Sequence, residues 1–160
     1  MTDWPVRPVA PSEAEAVARL WHDTWHETHA AIVPPELVAL RTTASFRERT
    51  EAALPRMRCA GPEGEPLGLC LVTADELDQL YVAPVEWGTG LARRLMADGC
   101  DRIATAGHRT AGLICAEGNE RAAAFYRRMD WRETERVTGH VEAEGGRFPL
   151  PCIRFERSLP

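Results

Sequence analysis

The chain has 160 residues, and its 24 acidic and 19 basic side chains give a formal charge of −5 at pH 7. This length suits one domain over residues 1–160 that buries a core without a metal or disulfide. The mild acidity gives no electrostatic reason to expect nucleic acid or an anionic membrane as a partner. All 19 basic residues are arginine, which excludes enzymes that depend on a Schiff-base or phosphate-binding lysine.

Cysteine usage predicts a reducing compartment, and hydropathy predicts a chain without a membrane span. The five cysteines show no C-x-x-C spacing, which indicates small core residues and neither disulfides nor a zinc site. The first eleven residues contain no apolar run, and no segment approaches about 18 uninterrupted apolar residues. We therefore expect a soluble cytoplasmic protein without a signal peptide or membrane span.

The first third of the chain predicts a strand followed by two helices. A short strand is expected over Val6–Val9, and a helix then runs to about His29. Ser12 and Glu15 have the spacing of a capping box at the start of that helix. Two consecutive prolines interrupt the pattern, and a second helix is expected over Phe46–Leu54.

The rest of the chain alternates strands and helices. Expected strands at Met57–Ala60 and Leu67–Thr73 flank a glycine- and proline-containing turn, and a third strand follows at Leu77–Val82. A glycine turn then opens a helix with apolar residues at helical spacing. The remaining predicted elements are a strand at Gly112–Ala116, a helix from Asn119 through Met129, and closing strands at Val137–Glu142 and Cys152–Phe155 joined by a turn at Glu144–Gly146. This order predicts an α/β layer protein with helices against a mixed sheet.

Two segments carry the chemistry. Trp87-Gly88-Thr89-Gly90-Leu91-Ala92 joins a strand to a helix, and Arg93 and Arg94 follow. Free amides and the positive helix dipole favour an anion at such a point, although short glycine turns also begin many helices for steric reasons. The second segment, Asn119–Trp131, places a capping asparagine before a helix and Tyr126 about two turns later.

Together these segments resemble the GNAT superfamily of N-acetyltransferases. The first follows the family pattern (Gln/Arg)-x-x-Gly-x-(Gly/Ala), and the second follows N-x-x-A-x-x-F-Y-x-x-x-G-F. The resemblance covers nearly the whole chain and is strongest over Leu77–Trp131. Trp87 replaces the usual Gln or Arg, Ala92 is an allowed variant, and Asp130 replaces a glycine. Aspartate tolerates the left-handed conformation better than most residues, so the turn can survive.

The resemblance implies a central, mixed, mostly antiparallel twisted sheet flanked by helices, and direct acetyl transfer from acetyl-CoA to an amine in a ternary complex. The Val82 N–H would stabilise the oxyanion, Asn119 would contact pantetheine, and Tyr126 would protonate the departing thiolate. The implied cofactor-binding residues are Val82, Trp87, Gly88, Thr89, Gly90, Leu91, Ala92, Arg93 and Asn119.

The acceptor side is less specified. Glu76 resembles the glutamate that some members use as a base, and its alternative is a solvated carboxylate beside Asp75 and Asp78. Trp25 and His29 would contact the acceptor by family analogy, with core packing or plain solvent exposure as the alternatives. The acceptor is a small-molecule or peptide amine, and small amines, amino acids, antibiotics and protein N-termini all remain open.

Two other functions compete with this interpretation. A non-catalytic acyl-CoA-binding module would keep the glycine turn and lack the chemistry. The stripe formed by His22, His26 and His29 could hold zinc, but one straight helix rarely wraps three ligands around an ion, so no metal is expected. Dimerisation is common in such folds, and the closing strands offer candidate contact edges.

Overall fold

A computed structural model describes residues 3–143 and 146–160 as one sheet with helices on both faces. The strands are β1 (Arg7–Pro8), β2 (Met57–Ala60), β3 (Gly68–Thr73), β4 (Glu76–Val82), β5 (Thr110–Ala116), β6 (Arg132–Ala143) and β7 (Gly146–Ser158). The helices are α1 (Ala14–His29), α2 (Pro35–Leu40), α3 (Thr43–Ala53), α4 (Leu91–Thr105) and α5 (Glu120–Arg128). Glu144 and Gly145 of the predicted closing turn lie outside the described residues.

The seven strands lie in the order β1-β2-β3-β4-β5-β7-β6. Every neighbouring pair is antiparallel except β4 and β5, which are parallel. The predicted mixed, mostly antiparallel sheet is therefore confirmed. β6 forms one outer edge of the sheet, and its use as a dimer contact stays a prediction.

The sheet opens between β4 and β5. These strands are paired only at Glu76 and Gly112, near the start of β4. No ladder pairs follow toward Val82 or Ala116, so the two strands separate toward their C-terminal ends. The second half of β4 stays paired with β3, but its edge toward β5 is left unpaired, and this gap positions the site.

Two apolar cores cover the two faces of the sheet. Alternate side chains of β3 point to opposite faces, as strand geometry requires: Leu69 and Leu71 pack with α1 and α3, whereas Cys70 packs with α4. In β4 a bulge at Asp78 shifts the register, because Val72 pairs with Leu77 but Leu71 pairs with Gln79. Beyond this bulge Tyr81 faces the α1 layer and Val82 faces the α4 layer.

The predicted capping box at Ser12 and Glu15 is wrong. A short 3-10 turn over Pro11–Glu13 precedes α1, and no side chain caps that helix. The acidic residue that matters is Glu13, which is 2% exposed, pairs with the Arg7 guanidinium and accepts the Gly64 N–H at 2.9 Å. The Ala10 N–H also donates to this carboxylate, at 3.2 Å, so three groups fix its position.

The structure differs from the predicted secondary structure in three further places. The short helix α2 was missed because Pro35 was taken only as a break, although proline suits the first turn of a helix. α3 begins at Thr43, where Thr42 caps it by accepting the Ser45 N–H, and not at Phe46. β6 is twice and β7 about three times the predicted length, because charged residues on a two-stranded edge hide the apolar alternation. No helix of the described residues is long and apolar enough to cross a membrane.

Candidate active site

A cleft of about 860 Å³ lies where β4 and β5 separate. We divide its lining into two walls. The glycine wall consists of Val82, Trp87, Gly88, Gly90, Ala92, Arg93, Asn119 and Tyr126. The arginine wall consists of Trp25, His29, Arg41, Arg49 and Tyr81. Of the predicted cofactor-binding residues, Thr89 and Leu91 do not line the cleft: Leu91 is buried, and the Thr89 hydroxyl bonds the Glu86 carbonyl and carboxylate.

The glycine turn presents unused backbone donors to the cleft. Gly88 and Gly90 have φ angles of 81° and 90°, a left-handed conformation that strongly favours glycine. Gly90 occupies the N-cap of α4, so the amides that follow it begin the helix without partners. Within the described residues, the N–H groups of Gly88, Gly90, Ala92 and Arg93 donate to no acceptor. This turn can therefore bind an anion through its backbone.

The Val82 amide faces the gap between β4 and β5. The next amide along the chain, Ala83 N, donates to Leu67 O at 2.8 Å on the β3 side. Successive amides of a strand point in opposite directions, so the Val82 N–H points away from β3 and toward the opening. The pairing of β4 with β5 ends well before this residue. The structure thus leaves one strand donor directed into the cleft.

Trp87 plays a different part from the polar residue that it replaces. Its indole Nε1 donates to Val82 O at 3.1 Å, and the Arg121 guanidinium lies 3.3 Å above its ring centroid. The first contact ties the turn to the end of β4, and the second ties it to the first turn of α5. Trp87 thereby joins the two strand-to-helix connections that flank the opening.

Asn119 and Tyr126 enter the cleft from α5. The predicted cap is confirmed, since the Asn119 side chain accepts the Ala122 N–H at 3.3 Å. The tyrosine ring is held by Trp131 and Phe155, with ring centroids 6.3 Å and 5.6 Å away. Asp130 has a φ of 64°, so the helix ends through the left-handed turn that was expected of this residue.

Tyr126 is held in its neutral form. Burial raises the pKa of its hydroxyl well above the ordinary value, because a phenolate would lose its hydration there. No hydrogen bond joins this hydroxyl to another group in the described part of the chain. A protonated, unengaged phenol facing a cleft can donate to an incoming group.

Glu76 lines the same cleft at the start of β4. Its Oε1 accepts from Arg154 Nη1 at 2.8 Å, and Arg154 Nε also bonds Glu156. The nearest charge is thus an arginine and not the neighbouring aspartates considered from the sequence. Within the described residues the second oxygen of Glu76 accepts no hydrogen bond.

His29 and Trp25 lie on the arginine wall, stacked at 5.4 Å between ring centroids with planes 9° apart. Burial lowers the pKa of His29 to about 4, so its imidazole is neutral near pH 7. The Thr28 hydroxyl lies 2.8 Å from Thr24 O and 2.7 Å from His29 Nδ1. Because that hydroxyl has one proton and gives it to the carbonyl, His29 Nδ1–H donates to it, and Nε2 keeps a lone pair.

Comparison with known proteins agrees with this geometry. Residues 14–131 match the model of the acetyltransferase (GNAT) family, which is most of the chain. The chain belongs to the GNAT acetyltransferase family. It is 25% identical over 170 residues to a probable N-acetyltransferase of Mycobacterium tuberculosis, covering 97% of this chain and 95% of that protein.

Solved structures share the fold of this acetyltransferase. A GCN5-related N-acetyltransferase from Rhodopseudomonas palustris superposes with a TM-score of 0.77 at 21% identity, over 99% of this chain and 98% of that one. An acetyltransferase from Salmonella typhimurium, solved with its cofactor acetyl-CoA, gives a TM-score of 0.71 at 14% identity, over 99% and 95% of the two chains. At these identities the likeness establishes the fold.

The three histidines of the stripe on α1 have different surroundings. His22 Nδ1 lies 2.8 Å from the Asp23 carboxylate, His26 Nε2 bonds Arg41 O at 2.7 Å, and His29 faces the cleft. Across residues 3–143 and 146–160, no group of three or more His, Cys, Asp or Glu is arranged to hold a metal ion.

Sequence reasoning missed Arg41 and Arg49, the two cations of the arginine wall. Arg41 follows α2 and is 2% exposed, and Arg49 is half-buried on α3. Neither belongs to a recognisable motif, and α2 itself was not predicted. Only the tertiary packing of α1, α2 and α3 brings these side chains to the cleft.

Proposed function

We propose that this acetyltransferase moves an acetyl group from acetyl-CoA directly to a primary amine of a small-molecule or peptide acceptor in a ternary complex. The observation that carries the proposal is the convergence of three kinds of donor on one cleft: the free amides of the glycine turn, the unpaired Val82 N–H and the Tyr126 hydroxyl. The acetyl-CoA bound to the Salmonella relative supports the choice of cofactor.

The glycine wall would hold the cofactor. The amides of Gly88, Gly90, Ala92 and Arg93 suit a pyrophosphate, since they are preorganised and the α4 dipole adds to their positive field. The Arg93 side chain lines the same wall and adds a cation. The free Asn119 amide nitrogen can donate to a pantetheine carbonyl, because its Oδ1 already caps α5.

The transfer itself follows from this placement. The amine nitrogen attacks the thioester carbon, and the carbonyl oxygen gains charge that the Val82 N–H can stabilise. The C–S bond then breaks, and the CoA sulfur takes a proton from the Tyr126 hydroxyl. The amine gives its own proton to a base in the cleft, Tyr126 regains a proton from that base or from water, and the products are an amide and CoA.

Two groups in the cleft are candidates for the base that accepts the proton of the amine. Glu76 has one carboxylate oxygen free and would act through water, as its family analogy suggests. His29 offers the lone pair of Nε2 on a neutral imidazole. Replacing each residue in turn separates them, because the true base also sets the acid limb of the kcat/KM profile.

Direct transfer is favoured over an acyl-cysteine intermediate by the state of the thiols. All five cysteines are buried, and burial raises the pKa of Cys115, which lines the cleft, to about 12. Such a thiol is almost entirely protonated at neutral pH, whereas the thiolate is the nucleophile. The five cysteines therefore offer no activated group for a two-step reaction.

The test is thiol release from acetyl-CoA with a panel of amines, combined with thermal melting in the presence of acetyl-CoA or CoA. Both CoA species should raise the melting temperature, by several degrees at about 100 times Kd. Thiol release that depends on an added amine supports transfer. Binding of CoA without release for any amine would favour the acyl-CoA-binding module, and no binding at all would contradict the assignment of the glycine wall.

A further inference from the structure

Two cations face the acceptor side of the cleft, and within the described residues neither forms an ion pair with a carboxylate. The side chain of Arg41 is 2% exposed, and the His26 imidazole fixes its backbone by donating to Arg41 O at 2.7 Å. The Arg49 guanidinium lies 4.2 Å from the Trp21 ring centroid and 5.1 Å from that of Phe46. Both arginines line the cleft, and the charge of Arg41 lowers the pKa of Arg49.

Within the described residues no carboxylate comes within 4.0 Å of either guanidinium. Arg41 Nε and Arg49 Nη1 are buried and make no hydrogen bond. Asp78 is the acidic group that acts on Arg49, but its two oxygens already accept from the Thr73 hydroxyl and the Gln79 amide. Tyr81, the remaining titratable neighbour, is held neutral because burial raises the pKa of its hydroxyl.

This arrangement is costly for the free protein. Burial, and to a smaller extent the charge of Arg41, lower the pKa of Arg49 to about 10. Three other partly buried arginines have carboxylate partners: Arg7 pairs with Glu13, Arg58 with Asp98 and Arg154 with Glu76. Buried charges in proteins are normally paired. An unpaired cluster that faces a cleft indicates that its counterion arrives with a ligand.

We infer that Arg41 and Arg49 bind an oxyanion carried by the acceptor, so that the acceptor is an amine bearing a carboxylate or phosphate on the same molecule. This inference rests on the proposed transfer reaction. Guanidinium groups bind both oxyanions through paired N–H donors. The aromatic rings beneath Arg49 support its charge through cation–π contact but supply no hydrogen-bond acceptors.

The position of the subsite sets the order of groups in the acceptor. The amine must reach the thioester near Val82, whereas the oxyanion is drawn toward α3 and the end of α2. His29, Trp25 and Tyr81 line the cleft beside the arginines and would surround the part of the acceptor that joins the two groups. Amines with only positive charge, such as polyamines, would be repelled.

The kinetic test compares amines that differ only in the anion. Each amino acid is paired with its carboxamide, and phosphoethanolamine with ethanolamine, with thiol release as the readout. The anionic member should have a kcat/KM at least about tenfold higher, as expected for a charge-assisted hydrogen bond. Whether amino acids or phosphoethanolamine show the preference separates carboxylate from phosphate. Equal rates within every active pair would overturn the inference.

Variants of the two arginines test whether they cause the preference for anionic amines. Arg41→Gln and Arg49→Gln should lower the kcat/KM of the anionic member of each pair much more than that of the neutral member, and Arg41→Lys should restore part of the preference. Arg47→Gln is the matched control, since Arg47 lies exposed on the same helix as Arg49 and pairs with Glu51. Loss of CoA binding in the Arg41 or Arg49 variants, or equal loss for both members of a pair, would overturn the assignment.

A binding measurement keeps this inference separate from the proposed reaction. N-acetylglycine and N-acetylglycinamide can be titrated into the CoA-loaded protein by calorimetry, together with inorganic phosphate, none of which requires turnover. If no amine reacts but an anionic probe binds and Arg41→Gln removes that binding, only the transfer reaction fails. If amines react and none of the anionic probes binds to the wild type, only the oxyanion subsite fails.

Discussion

The two walls of the cleft use opposite physical means. The glycine wall offers backbone amides, which carry no net charge and are fixed by two left-handed glycines and the first turn of α4. The arginine wall offers full charges on long side chains, held in place by burial and aromatic contact. The empty glycine wall leaves only neutral amides exposed, whereas the arginine wall holds two cations that form no ion pair with a carboxylate of the described residues.

This difference suits the glycine wall to binding CoA and the arginine wall to selecting the acceptor. Free amides at a helix N-terminus are still partly hydrated, so leaving them empty costs the folded protein little. Buried unpaired guanidinium groups destabilise the free protein, and only a ligand of the right charge relieves that cost. We therefore expect changes in the glycine wall to weaken CoA binding, and changes in the arginine wall to alter acceptor choice and stability.

The largest effect is expected for Tyr126→Phe. Loss of a general acid typically lowers kcat by about 10²- to 10⁴-fold, and CoA affinity should stay within about twofold because the ring contacts remain. Tyr81→Phe is the matched control, since Tyr81 is the other tyrosine of the chain. Its kcat should be little changed. Steady-state thiol release and calorimetry with CoA measure both quantities, and similar losses of kcat in the two variants would contradict the role of Tyr126.

The second effect contrasts a paired arginine with an unpaired one. Arg7→Met should lower the free energy of unfolding by about 3 kcal/mol, because it leaves the carboxylate of Glu13 buried without its partner. Arg41→Met should raise the free energy of unfolding by about 1 kcal/mol, since it removes a buried charge that has no counterion. Urea unfolding of both variants at pH 7 measures the difference. A loss of stability in Arg41→Met would mean that the free protein already compensates this charge.

The third effect is a pH dependence from His29. Its pKa is about 4 in the folded protein and 6.5 when unfolded, so the unfolded chain binds more protons between these values. Stability should therefore fall as the pH drops from 6.5 toward 4 and should be flat above 6.5. At pH 5 the loss relative to pH 7 is about 2 kcal/mol.

Unfolding in urea at pH 7 and pH 5 measures this loss, and His29→Gln should remove most of it. Glu13 does not interfere, because Arg7 holds the pKa of its carboxyl near 2, and its contribution is lost only below about pH 4.5. An unchanged pH dependence in His29→Gln would show that His29 is hydrated in the folded protein.

The same contrast explains what could be predicted from the sequence. The glycine wall lies mostly in two contiguous segments, and its turn, its capping Asn119 and its left-handed Asp130 follow from local rules. The arginine wall combines side chains from α1 and β4 with Arg41, which follows α2, and Arg49, which lies on α3. Whether Arg41 has a carboxylate partner is decided by packing over distances that no local pattern records. The partner of Glu76 was missed for that reason too, since Arg154 lies 78 positions away.

The smallest effect is expected for Gly90→Ala. This variant tests whether the left-handed backbone at Gly90 matters for CoA binding as well as for stability. A Cβ at Gly90 would meet Arg94 Nη1 at 3.6 Å, an ordinary contact, so the cost is the left-handed backbone, about 1 kcal/mol. Gly107, just beyond the other end of α4, has a φ of 99° with open space around its Cβ position. Gly107→Ala should lose the same stability. CoA affinity should fall only in Gly90→Ala, because only that residue aligns amides of the cleft. If calorimetry gives equal CoA affinity for the two variants, the glycine wall does not bind CoA through its backbone at this position.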